Sequence, residues 1–132
     1  MTGEKIYIEA GSGELIDKIT ILEIKLARIE DPQKLKNIRY ELETLATTRD
    51  RALPSSDMLS QLTSALKSVN ETLWDIEDDI RRCEAEKNFG QRFIELARAV
   101  YKTNDHRAAL KKQINLLTGA HIVEEKSYVD FE

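Results

Sequence analysis

Apolar residues recur along this chain at alternating spacings of three and four, the period of one helix face, across most of the sequence between Glu14 and Leu117. The first such stretch, about 14–30, carries Leu15, Ile19, Leu22, Leu26 and Ile29, and Ile16 with Ile24 widens the stripe, which predicts more than one packing neighbour. A second, about 32–50, carries Leu35, Ile38, Leu42 and Leu45. The third, about 56–87, is the most regular, with Leu59, Leu62, Leu66, Val69, Leu73, Ile76, Ile80 and Cys83 in an unbroken coiled-coil-type seam. The fourth, about 90–117, is densely apolar from Phe93 to Tyr101 and then keeps only an edge at Leu110, Ile114 and Leu117. At 1.5 Å per residue the third helix spans roughly 45 Å and the first two roughly 25 Å each. The short pair therefore stacks over half of the long hairpin, or a second copy covers the remainder, and the expectation is a homodimer.

The breaks between these stretches have matching chemistry. Ile6 and Ile8 alternate with Tyr7 and Glu9 in a short strand-like run that ends at Ala10-Gly11-Ser12-Gly13, where Ser12 can cap the first helix. Asp31-Pro32 reads as a stop and restart, because proline disfavours helical geometry in the residue before it and suits the first turn of the next helix. Pro54 with Ser55 and Ser56 makes a connection whose serines can cap the third helix. Asn88-Phe89-Gly90 is a turn, and Gly119 is placed for a left-handed cap on the fourth helix. The tail, 120–132, reads as extended. The predicted fold is all-α, a single domain over 1–132 built as an antiparallel helical bundle of hairpins with coiled-coil-like seams, plus the N-terminal strand-like segment.

Composition agrees with long exposed helix faces: of 132 residues, 33% are charged, with only 5 Gly and 2 Pro. The net charge of -4 gives no general reason to expect nucleic-acid binding. The charge is unevenly placed, since residues 57–87 sum to -4 and residues 90–117 to +4, so two hairpin partners can neutralise each other. A single cysteine, Cys83, excludes an internal disulfide and a multi-cysteine zinc site, and its seam position suits a small buried apolar residue. With no signal-type apolar segment near the start and no run approaching the roughly 20 apolar residues that span a bilayer, the expected setting is cytoplasmic with no membrane contact.

Several polar residues depart from a plain amphipathic pattern. Asn70, Trp74, Glu77, Arg81 and Glu84 share a second stripe beside the seam of the third helix. The ordinary reading is a solvated face with Glu77–Arg81 as an i, i+4 ion pair and Trp74 as an anchor between helices or protomers. On the fourth helix Asn104, Arg107, Lys111 and Asn115 continue one face at helical spacing where apolar residues thin out. Polar groups taken out of water need partners, so this face is expected to meet complementary charge or a ligand. Glu14 and Asp17 sit three apart at the start of the first helix, a spacing that suits either a divalent cation or the positive end of the helix dipole. His106 and His121 have no second histidine or cysteine at ligand spacing, and Gly11-Ser12-Gly13 lacks the lysine of a phosphate loop.

GELIDKITILEIKLARI, VNETLWDIEDDIR, FIELARAVYKTNDHRAALKKQIN and EEKSY, in that order, resemble a small all-helical family of bacteria and tailed phages with no assigned reaction. The resemblance implies that Glu14, Asp17, Lys18, Asn70, Trp74, Glu77, Arg81, Arg98, Tyr101, Asn104, Asp105, Arg107, Lys111, Asn115, Glu124, Lys126 and Tyr128 belong to the family pattern. Glu14 and Asp17 also imitate half of the paired acidic motif with which all-helical nucleoside triphosphate pyrophosphatases bind magnesium. The second half is missing, because Asp75 and Asp78 lie on a different face from Glu77. Two functions therefore compete. One is a non-catalytic helical interaction protein, homodimeric, that uses its polar stripes to choose a partner. The other is a site for a phosphorylated small molecule such as a nucleotide, with magnesium at Glu14, Asp17 and Glu77, and Arg81, Arg107 and Lys111 on phosphates.

Overall fold

The computed structural model describes residues 2–131; Met1 and Glu132, the outermost positions of the expected domain and tail, lie outside them. Four helices follow one another: α1 (Ser12–Arg28), α2 (Pro32–Ala52), α3 (Asp57–Ala85) and α4 (Gln91–Thr118). Their ends fall within about two residues of the positions read from periodicity, which is the usual margin for fraying helix termini.

Local chemistry explains most of those ends. Asp31 accepts hydrogen bonds from the backbone N–H groups of Gln33 and Lys34 at 2.9 and 3.2 Å, so it caps the helix that Pro32 opens. Ser56 caps α3 by accepting from the N–H of Leu59 at 3.0 Å. Gly119 closes α4 in the left-handed region at φ 67°. Ser12 does not cap α1: Gly11 occupies the cap position, and the Ser12 hydroxyl is hydrogen-bonded across to Thr118 instead. The turn after α3 begins two residues earlier than expected, at Glu86. Lys87 takes φ 57° and the Asn88 N–H donates to the Cys83 carbonyl at 2.9 Å, while Gly90 caps α4 from an ordinary φ of -81°.

The expected strand does not form. Ile6, Tyr7 and Ile8 are 84–88% exposed, and the described residues contain no strand at all. Alternation alone cannot hold a strand in water, because its backbone needs a partner edge.

α1 is the centre of the assembly and packs against α2, α3 and α4. Ile16, Ile19, Leu22 and Ile24 are almost wholly buried around its circumference, as the widened stripe requires. Burying each such side chain contributes about 1.5–3 kcal/mol. The main core joins Ile16 to Leu59, Leu66 and Val69 of α3 and to Leu110 and Ile114 of α4, so α1 lies across the half of the hairpin where α3 starts and α4 ends. The short pair does not stack as a unit: among the described residues α2 packs on α1 and on no other helix, and Ile38 is its one buried residue. Beyond α1 the hairpin continues alone towards its tip, where Phe89 and Phe93 meet edge to face at 5.3 Å. No helix among the described residues is long and apolar enough to cross a membrane.

Candidate functional site

The N-terminal half of α1 crosses the C-terminal half of α4 in the opposite chain direction, and the polar residues noted on both helices meet there as rungs. Ser12 pairs with Thr118, the Gly13 N–H donates to Asn115 Oδ1 at 2.7 Å, Glu14 accepts from Lys111 Nζ at 2.6 Å, and Asp17 receives Arg107. The crossing is close because Gly13 has no side chain: a Cβ there would overlap the Lys111 backbone carbonyl. Gly11 plays the same part against the tail, where a Cβ would come within 2.7 Å of the Ile122 carbonyl oxygen.

Asp17 is the centre of the arrangement and is fully buried. Arg107 grips it with both arms, Nε donating to Oδ1 at 3.0 Å and Nη2 to Oδ2. Asn70 Nδ2, reaching in from α3, donates to Asp17 Oδ1 at 2.9 Å and to Thr20 Oγ1 at 3.0 Å. Thr20 in turn donates to the Asp17 carbonyl at 2.8 Å. One carboxylate thus ties three helices together. Lys111, with a side chain only 12% exposed, adds Glu124 of the tail at 3.5 Å to its bond with Glu14.

The electrostatics follow this geometry. The hydrogen bond to Asp17 raises the Arg107 pKa above its ordinary value in spite of burial. Burial by itself would lower that of Lys111, but Glu14, Asp17 and Glu124 together outweigh it and the result is a rise. Lys111 chiefly, helped by Lys126, lowers the pKa of Glu124.

Among the described residues no buried side-chain nitrogen or oxygen lacks a hydrogen-bond partner. The junction is therefore a closed polar layer in which acids and bases satisfy one another, not a lined cavity. Glu14 and Asp17 each face a cation of α4, and the Asp17 carboxylate is committed to Arg107 and Asn70, so this pair does not fit a magnesium site. Nor do three or more His, Cys, Asp or Glu gather anywhere in the described residues in a way that could hold a metal.

The other candidates lie elsewhere. Glu77 and Arg81 form their i, i+4 pair at 3.4 Å on the surface, and Asn104 is exposed. Trp74 is half-buried with the Arg28 guanidinium 5.8 Å from its ring centroid, and Arg28 also bonds Asp75 at 2.6 Å, so the tryptophan marks where the end of α1 rests on α3. His106 and His121 are exposed and Cys83 is buried. Ser12, Gly13, Thr20 and Thr118 belong to the junction but were not site candidates from sequence, and Glu124, which joins them, was marked only by the family pattern. The one signal for them was the glycine pair flanking Ser12, which marks a close backbone approach as readily as a ligand loop. The opposite charges of α3 and α4 do not neutralise each other: Asp79–Arg92 at 3.3 Å is the only ion pair between them among the described residues. Arg107, Lys111 and Lys112 of α4 meet α1 and the tail instead.

A family model described as a family of unknown function, DUF6165, matches residues 6–131. No curated protein and no solved structure matches the chain.

Proposed function

We propose, for a chain that belongs to the DUF6165 family of unknown function, a helical interaction protein that works as a homodimer, with the half of the α3–α4 hairpin beyond α1 as the protomer interface. One observation carries this reading. The seam of α3 continues past the reach of α1, where Ile76 and Ile80 are half-buried, while Phe89 and Ile94 remain 51% and 48% exposed. A second copy is the occupant that suits this surface, because at this end of the hairpin α3 carries Glu77, Asp78, Asp79 and Glu84 against Arg81 and Arg82, while α4 carries Arg92 and Arg98 against Glu95 alone. A two-fold pairing sets the acidic helix of one protomer against the basic helix of the other. Glu77 and Arg81 then serve to select register, a role in which polar residues beside an apolar seam are well suited.

Sedimentation equilibrium tests this directly. The expected mass is twice the 15.2 kDa chain, and Ile94→Asp should weaken association by about tenfold or more by placing a charge in the apolar contact. A wild-type chain that sediments as a monomer at tens of micromolar would overturn the reading.

A further inference from the structure

The tail after Gly119 runs back along α4, and two sets of contacts anchor it there. At the first, Lys111 holds Glu124 at 3.5 Å and Lys112 holds Glu125 at 3.4 Å. At the second, six residues beyond Glu125, the Phe131 ring meets Tyr101 edge to face at 5.2 Å. Between these anchors the tail stands off the helix. The gap is about 700 Å³ and is lined by Arg98, Lys102 and Asp105 from α4 and by Tyr128 from the tail.

We infer that this strip of α4, with its lysine pair at one end and Tyr101 at the other, is a docking surface for an acidic peptide of a partner protein that carries two adjacent carboxylates and, six residues on, an aromatic ring. The chain's own tail occupies it as a displaceable strap. The occupant's chemistry comes from the tail itself, which supplies paired acids to paired lysines and a ring to a ring. Displaceability comes from how exposed these anchors are. Both lysine contacts are to half-exposed or more exposed carboxylates, of the kind that is individually weak and salt-screened. Val129 is 91% exposed and Phe131 itself is only half covered. The strip runs on from the proposed hairpin interface, since Ile94, Arg98 and Tyr101 fall on one face of α4, and the two readings are told apart by their readouts, peptide anisotropy here and oligomer mass there.

The test uses the full chain and a fluorescein-labelled peptide with the sequence of residues 121–131, read by anisotropy. Wild-type protein should bind the peptide weakly, because its own tail competes. Releasing that tail by Glu125→Lys with Phe131→Ala should tighten peptide binding by about tenfold, since affinity scales with the fraction of open surface. The Glu125 side chain is 74% exposed and Phe131 48% exposed, so the fold should be retained, as circular dichroism will report. Adding Lys112→Glu should reverse the gain, and a peptide with lysine in place of Glu125 should restore it. Equal affinity for wild-type and released protein, binding indifferent to Lys112→Glu, or no binding to the released protein would each overturn the inference. A change of oligomer mass on tail release without peptide binding would do so too, since it would assign the tail to a second copy.

Discussion

Asp17 shows how much one side chain can be asked to organise. A carboxylate taken wholly out of water is tolerated only where charge and hydrogen bonds surround it, and Arg107 supplies the charge. The two partners are unequally placed, since the Arg107 side chain is 29% exposed and that of Asp17 is not. Removing the arginine therefore strands a buried charge, and Arg107→Ala should cost about 3–5 kcal/mol in urea unfolding. Glu124→Ala, which removes a half-exposed partner of Lys111, should cost under about 1 kcal/mol. Comparable losses from the two substitutions would mean that Asp17 is not the keystone described here. Of these residues, sequence reading found Asp17 and Arg107 by their spacing. It could not pair them, because helical periodicity places a residue on a face without saying which face of another helix it meets.

At the scale of the element, α1 and α2 are opposites although the chain makes them neighbours. α1 has three packing partners, whereas α2 has one and buries only Ile38. An isolated helix of about this length is marginal in water, so the order of α2 depends on that single face. Native-state hydrogen exchange should show α2 opening well below the global unfolding free energy, and Ile38→Ala should speed exchange in α2 while leaving α1 near its wild-type protection. Exchange of α2 in step with α1 would show that the two form one cooperative unit. The apolar spacings of both helices were plain in the sequence; their different fates were not, because a stripe of equal regularity is written whether it meets one neighbour or forms part of a core.

For the whole molecule, the junction gives stability a defined pH dependence. The Lys111 pKa is raised in the folded state, so its contribution is fully present below the ordinary lysine value of 10.5 and is lost as pH rises through the higher folded value. Unfolding midpoints measured from pH 9.5 upward should fall more steeply for wild type than for Lys111→Met, which has no such proton to lose; parallel curves would remove Lys111 from the account. Glu124 behaves in the opposite sense. Its lowered pKa contributes above the ordinary carboxylate value and fades as pH falls through the folded one, which loosens the tail in acid.

By itself the sequence determined an all-helical chain, the ends of its four helices, the caps at Ser56 and Gly119, and the burial of Cys83. Each of these is set by interactions within about one helical turn, or by the period of a single stripe. Only the tertiary structure decided that α1 lies at the centre, that Ile6 to Ile8 find no strand partner, and that Asn115, Lys111 and Arg107 meet Gly13, Glu14 and Asp17 while Glu77, Arg81 and Asn104 stay on the surface. The reason is distance along the chain: those pairings join residues about 90 to 100 positions apart, and which rung meets which depends on how closely two helices approach. That approach was decided at Gly13, where the absence of a side chain lets the backbone of α4 come into contact with α1.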